Sequence, residues 1–271
     1  MRLTEAPARD VRPLIVEIHA DLLGLLASLR DAEWAAPTEA GRWTVKDVAL
    51  HLLDGDLGQL SMGRDADPAG VLDTGGDHRR FVAALDAKNQ GWVEAARGLS
   101  PRVVTGLLRW SGEQVGQYYA TVDLTGPAHV SWASDDLVPR WLDIAREMTE
   151  RWVHQQHIRD AAGQPGDHAR FLPAVLATFA WAFPHQYRPE AAPGTVVQLD
   201  FGGGGQWRLT CAAEGWELDE GTAESPAAAL RMPPHLAWRQ LTGLGVPAGG
   251  YRTEGGEHLA APLLAVRGVI V

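Results

Sequence analysis

Apolar positions recur at the helical period along the first two-thirds of the chain and change rhythm after residue 190 or so. Residues 11–33 read as a helix, with Ile15, Ile18, Leu22, Leu23 and Leu26 on one side. The link "WAAPTEAGRW" is rich in turn formers. Thr44 then predicts a helix N-cap, with Asp47 completing a capping box, and this second helix runs through Val48, His51 and Leu52 toward Leu60. A Gly/Asp/Pro-rich loop is expected at 63–76, followed by helices at 77–98 and 101–119, divided at Ser100-Pro101. The segment 120–136 reads as a connecting excursion with a short strand pair. Pro139 suits the first turn of a long helix that Gly163 and Pro165 end, and a further helix at 171–183 stops before Pro184.

Beyond 186–194 the pattern becomes short alternating pieces with glycine turns: 195–201, 207–212, 215–219 and 222–225. Short helices are expected near 226–230 and 235–242, and "GVIV" reads as a closing strand. The spacing therefore predicts two domains, a helical one over 1–187 and a small α+β one over 188–271. "FGGGGQW" lacks the Lys-Ser/Thr of a phosphate loop and reads as a hairpin loop.

Composition narrows the function. A formal charge of −10 and the absence of a Lys/Arg cluster exclude phosphate-backbone binding as the main task; Lys46 and Lys88 are the only lysines. The apolar run near the start is interrupted by Glu17, His19 and Asp21, so neither a signal peptide nor a membrane span is expected. Cys211 is the single cysteine, which leaves no intrachain disulfide or thiolate cluster and suits a cytoplasmic location.

The candidate chemistry lies on the helix from 139 to 162. Trp141, Ala145, Met148 and Trp152 make an apolar stripe at helical spacing. Asp143, Glu147, Glu150, His154 and His157 make a second, ionisable stripe. Glu150 and His154 share one face at i, i+4. On the helix after Thr44, Leu50 and Leu53 flank His51, with Asp47 and Asp54 about a turn away on either side. A helical bundle can bring such residues to one centre. Two histidines and a carboxylate leave coordination positions open for water or substrate, a catalytic rather than structural pattern. Zinc (Zn2+) is the first metal to consider; iron, nickel or manganese also suit two nitrogens and an oxygen. Ordinary surface or core histidines remain the alternative from spacing alone.

The segments "RWTVKDVALHLLDGD", "WLDIAREMTERWVHQQHIRDAAGQP", "WRQLTG" and "LLAVRGVIV" resemble the mycothiol-dependent maleylpyruvate isomerase family over nearly the whole chain. The resemblance implies a DinB-like four-helix bundle followed by a small sterol-carrier-like α+β domain. It implies a divalent metal held at the positions of His51, Glu150 and His154. It also implies that this metal activates the thiol of mycothiol toward a small electrophilic substrate, in an isomerase or a transferase. The extra His157 reads as a partner of the metal site, an acid/base group, a fourth ligand or a plain surface histidine. Glu147 and His157 are the candidates for proton transfer, and Arg239 in "WRQLTG" for the C-terminal arginine of the family's reaction. Arg64, Arg146, Arg151 and Arg159 are further candidates to hold substrate carboxylates. A metal hydrolase using bound water, or a non-catalytic binding module, stays open beside this reading.

Overall fold

The computed structural model describes residues 1–72, 78–164, 166 and 168–268. Its chain divides into two compact units. One comprises Arg12–Val122 and Glu150–Gly166; the other comprises Met1–Val11, Asp123–Thr149 and Asp167–Val271.

The first unit is a helical bundle built from α1 (Arg12–Ser28), α2 (Val45–Gly58), α3 (His78–Ala96), α4 (Pro101–Thr121) and the C-terminal part of α5 (Arg140–Ala162). Thr44 starts α2 as expected: its hydroxyl accepts from Asp47 N, and the Asp47 carboxylate accepts from Thr44 N, so two otherwise unpaired donors are satisfied. Arg97, just beyond α3, also donates to both Asp47 oxygens. Ser100 caps α4, whose buried Val104, Leu108, Ser111, Val115 and Tyr119 keep the helical period. The bundle core joins Leu22, Leu26, Val48, Leu52, Leu53, Val93, Val104, Leu108 and Ile158. Burial of these side chains drives the packing of α2 on α3 and α4 and of α1 on α4. The end of α2 widens into a π-helical turn, Gln59–Arg64. There Gly63 lies so close to α4 that a Cβ would stand 2.8 Å from the Tyr118 hydroxyl.

The second unit holds a five-stranded sheet in the order β5-β4-β3-β6-β7. Its strands are β3 (Val196–Asp200), β4 (Gln206–Ala212), β5 (Gly215–Glu220), β6 (Ala228–Arg231) and β7 (Arg252–Gly255). A separate pair joins β1 (Pro127–Ala128) to β2 (Val138–Pro139), so only the first strand lies in the excursion expected at 120–136, and Pro139 ends β2 just before α5 instead of opening the helix. Helices α6 (His168–Phe179), α7 (Ala182–Gln186), α8 (Pro234–Leu241) and α9 (Glu257–Ala260) belong here too, with α6 packed on α8. Trp207 and Leu209 on β4 and Trp216 and Leu218 on β5 are buried at alternate positions, while Val197, Gln198 and Leu199 on β3 are all buried. The glycine run is the β3–β4 loop, with Gly202–Gly204 forming a single 3-10 turn.

The α+β class and the N-terminal helical bundle stand as the sequence predicts, while several elements differ. Residues 226–230 are not helical: Ala228–Arg231 form β6, parallel to β3 and antiparallel to β7. Three consecutive buried residues, Ala228, Ala229 and Leu230, carry no strand period, so this central strand has no alternating signature. Residues 222–225 form no strand: Glu224 and Ser225 are a bend, and Ala223 N donates to the buried Gln198 Oε1. Pro184 sits inside α7 rather than ending a helix. The two compact units also group the chain differently from a division at 187/188, because 123–149 and α6–α7 lie with the sheet. Part of the expected loop at 63–76 (from 73), Pro165, and the closing strand beyond Gly268 fall outside the described residues. No described helix is long and apolar enough to cross a membrane.

Candidate metal centre

Two helices of the bundle supply the site. His51 projects from α2, seven residues after the capped N-terminus, and Glu150 and His154 project from α5 one turn apart. His51 Nε2 and His154 Nε2 each lie 3.1 Å from Glu150 Oε1, so both imidazoles converge on one carboxylate oxygen. One donor atom from each of the three residues falls within 4.8 Å of the others. The rings of His51 and His154 meet edge to face with centroids 4.6 Å apart. This stripe of α5 is not a solvated face: the side chains of Glu150 and His154 are 27% and 13% exposed, and that of His51, facing them from α2, is 12% exposed.

The surroundings fix the orientation of each group. Trp43 covers one side, its ring centroid 4.9 Å from that of His51 and 6.3 Å from that of His154. Its indole Nε1 donates to Gln90 Oε1 on α3, which holds the ring in place. His154 Nδ1 lies 3.3 Å from Nδ1 of the buried His157, one turn further along α5. His51 Nδ1 is buried and has no hydrogen-bond partner among the described residues, leaving Nε2 as its engaged nitrogen.

Burial alone would push the Glu150 carboxyl up. The charge and hydrogen bond of His154, and then those of His51, outweigh it and hold Glu150 well below the usual carboxylate range. For His154, burial lowers the imidazole below its ordinary value, the Glu150 carboxylate pulls the other way, and His51 adds to the lowering. The carboxylate is thus anionic and His154 is held toward its neutral form, the two protonation states a metal ligand requires.

Of the six candidate residues, the fold brings His51, Glu150, His154 and His157 together. Glu147 and Arg239 belong to the sheet-bearing unit. There the Glu147 carboxylate accepts from Arg146 at 2.5 Å, and the Arg239 guanidinium lies 5.4 Å from the Trp238 ring centroid on α8. The flanking acids of α2 are committed as well: Asp47 to the helix cap and Arg97, Asp54 to Lys88 at 2.8 Å.

Arg151 is a correction. Sequence reasoning offers it as a cation for substrate carboxylates, yet it is buried and paired with Asp56 Oδ1 through Nη2. Its Nη1 donates to His19 Nδ1 at 2.8 Å, and Ser111 Oγ donates to Asp56 Oδ2 at 2.7 Å. This network ties α1, α2, α4 and α5 together directly after Glu150. No sequence spacing reveals it, because its four members come from four helices.

Residues 15–159 match the family described as mycothiol maleylpyruvate isomerase N-terminal domain. Among solved structures, the fold is similar to the crystal structure of the mycothiol-dependent maleylpyruvate isomerase and to that of a histidine-to-alanine mutant. Each shares 11% identity over 94% of this chain and 95% of that chain, with a TM-score of 0.58, a likeness of fold. No curated protein matches the chain.

Proposed function

Because this chain belongs to the mycothiol maleylpyruvate isomerase N-terminal domain family, we propose that it is an enzyme in which His51, Glu150 and His154 hold a divalent metal, zinc first, and that it uses mycothiol on a small electrophilic metabolite. Loss of the thiol after addition would make it an isomerase, and retention of the adduct a transferase. The observation that carries this reading is the meeting of His51 Nε2 and His154 Nε2 at Glu150 Oε1 from two different helices.

The residues suit such a cation. Two imidazoles and an anionic carboxylate make a borderline N/N/O donor set that leaves coordination positions open. When bound there, a divalent cation lowers the pKa of a thiol and fixes its sulfur. The protein's own part is to hold the donors in place. Glu150 balances positive charge, the i, i+4 spacing on α5 sets its distance from His154, and Trp43 gives the site an apolar wall beside His51. The chain's only thiol, Cys211, is directed by its Sγ to Ala191 O, which favours a separate molecule as the sulfur donor.

Metal analysis of the purified protein tests the first half. About one equivalent is expected, lost in His51→Ala and His154→Ala; a protein that takes up no metal under replete conditions overturns the proposal. Cobalt substitution tests the second half, since a thiolate joining the site produces a sulfur-to-cobalt absorption band on addition of mycothiol. A metal-loaded protein whose spectrum ignores mycothiol, and which cleaves esters or amides without thiol, rejects the thiol reading in favour of a hydrolase.

A further inference from the structure

The contact between His154 and His157 is a hydrogen bond between two like atoms. Their Nδ1 nitrogens stand 3.3 Å apart, with the rings 74° to one another. One nitrogen must carry the proton and the other the lone pair, and the direction follows from what the far side of His154 is doing.

On that far side, His154 Nε2 lies 3.1 Å from Glu150 Oε1. A carboxylate oxygen only accepts, so in the metal-free chain Nε2 carries the proton and donates. Nδ1 of a neutral ring is then an acceptor, and His157 Nδ1–H donates to it. A cation held through His154 Nε2 needs the lone pair at that nitrogen. The ring proton then belongs on Nδ1: the His157 Nδ1 proton crosses to His154 Nδ1, and the His154 Nε2 proton leaves as the cation takes its place. One proton returns to His157 Nε2, and His154 becomes the donor to His157 with both rings still neutral.

We propose that His157 is the positioning partner of His154, and that the Nδ1–Nδ1 hydrogen bond reverses direction when the site takes up its metal. The proposal rests on the reading of His51, Glu150 and His154 as metal ligands. A carboxylate or carbonyl at this place could only accept, and would support His154 in its metal-binding tautomer alone. A histidine supports both tautomers, so His154 keeps its orientation with and without the cation. Three features make the arrangement durable. Both rings stand on one helix at i, i+3, the His157 ring is only 6% exposed, and the rings pack edge to face with centroids 5.2 Å apart. The role also gives Nδ1 of His157 a fixed task, so that nitrogen is not a fourth ligand or a general base.

The test is nitrogen-15 NMR of histidine-labelled protein without and with zinc, together with zinc affinity by chelator competition. The metal-free protein should show His154 protonated at Nε2 and His157 at Nδ1; the zinc form should show His154 at Nδ1 and His157 at Nε2. His157→Phe, which keeps ring bulk without an acceptor, should bind one zinc about 10–100-fold more weakly, and His157→Gln should recover part of the loss. Identical tautomers in both forms overturn the proposal, as does unchanged zinc affinity in His157→Phe alongside complete loss in His154→Ala; the ligand set then survives. Failure of the wild-type protein to bind zinc overturns both. Should His157→Phe not fold, the tautomers of the wild-type protein decide alone.

Discussion

Replacing Asp56 by alanine should be among the most damaging single changes in the helical bundle. Asp56 is 1% exposed and neutralises Arg151, which is 8% exposed, and Ser111, fully buried, donates to its second oxygen at 2.7 Å. Removing the carboxylate leaves a guanidinium in the bundle core without the Asp56 charge, still donating to His19 Nδ1. Leaving one partner of a buried pair uncompensated costs about 3–5 kcal/mol. Ser111→Ala, which removes one hydrogen bond to a charged group but keeps the ion pair, should cost about 1.5–3 kcal/mol. The double change Asp56→Leu with Arg151→Met removes both charges together and should recover most of the loss, because well-packed apolar residues commonly replace buried ion pairs at little or no cost. Urea unfolding followed by helix circular dichroism measures the three values, and hydrogen exchange of α1, α2 and α4 amides assigns them to the bundle. A loss below about 1 kcal/mol for Asp56→Ala would refute the reasoning, as would a double variant that loses the sum of its parts.

Three further outcomes follow from the same unit. Gly112→Ala should destabilise the bundle by about 1–3 kcal/mol, because its Cβ would stand 2.1 Å from His19 Nε2; a second change, His19→Ala, should relieve part of that loss in a double-mutant cycle. Burial, and next the Arg151 charge, lower the His19 imidazole to about 4 from 6.5 against the pull of Asp56. The unfolded chain therefore binds more protons over this interval, so stability is full above pH 6.5 and falls as pH drops toward about 4, by about 3 kcal/mol in all. His19→Gln should flatten urea-derived stability across that window, and an unchanged slope would reject the assignment. Zinc at about one hundred times its dissociation constant should stabilise the wild-type protein by about 2.7 kcal/mol in thermal or urea unfolding, with no such gain in His51→Ala.

What the sequence determined by itself is local. Thr44 and Asp47 announce the start of α2 because capping involves groups three residues apart, and the capping box is present as read. Glu150 and His154 announce a shared face because helix geometry alone places i and i+4 side by side. Alternating burial along β4 and β5 gives those strands away for a similar reason. The tertiary structure decided which of these local features meet. Ala228–Leu230 become a strand only because β3 and β7 flank them, and the fully exposed β7 has no apolar rhythm to announce it. Arg151 looks like a surface cation until Asp56 and His19 from other helices enclose it. His51 meets Glu150 only because the apolar faces of the bundle helices bury together. The backbone's periods are set by neighbours a few bonds away, whereas a polar side chain's partner is set by whichever distant segment the core packs beside it.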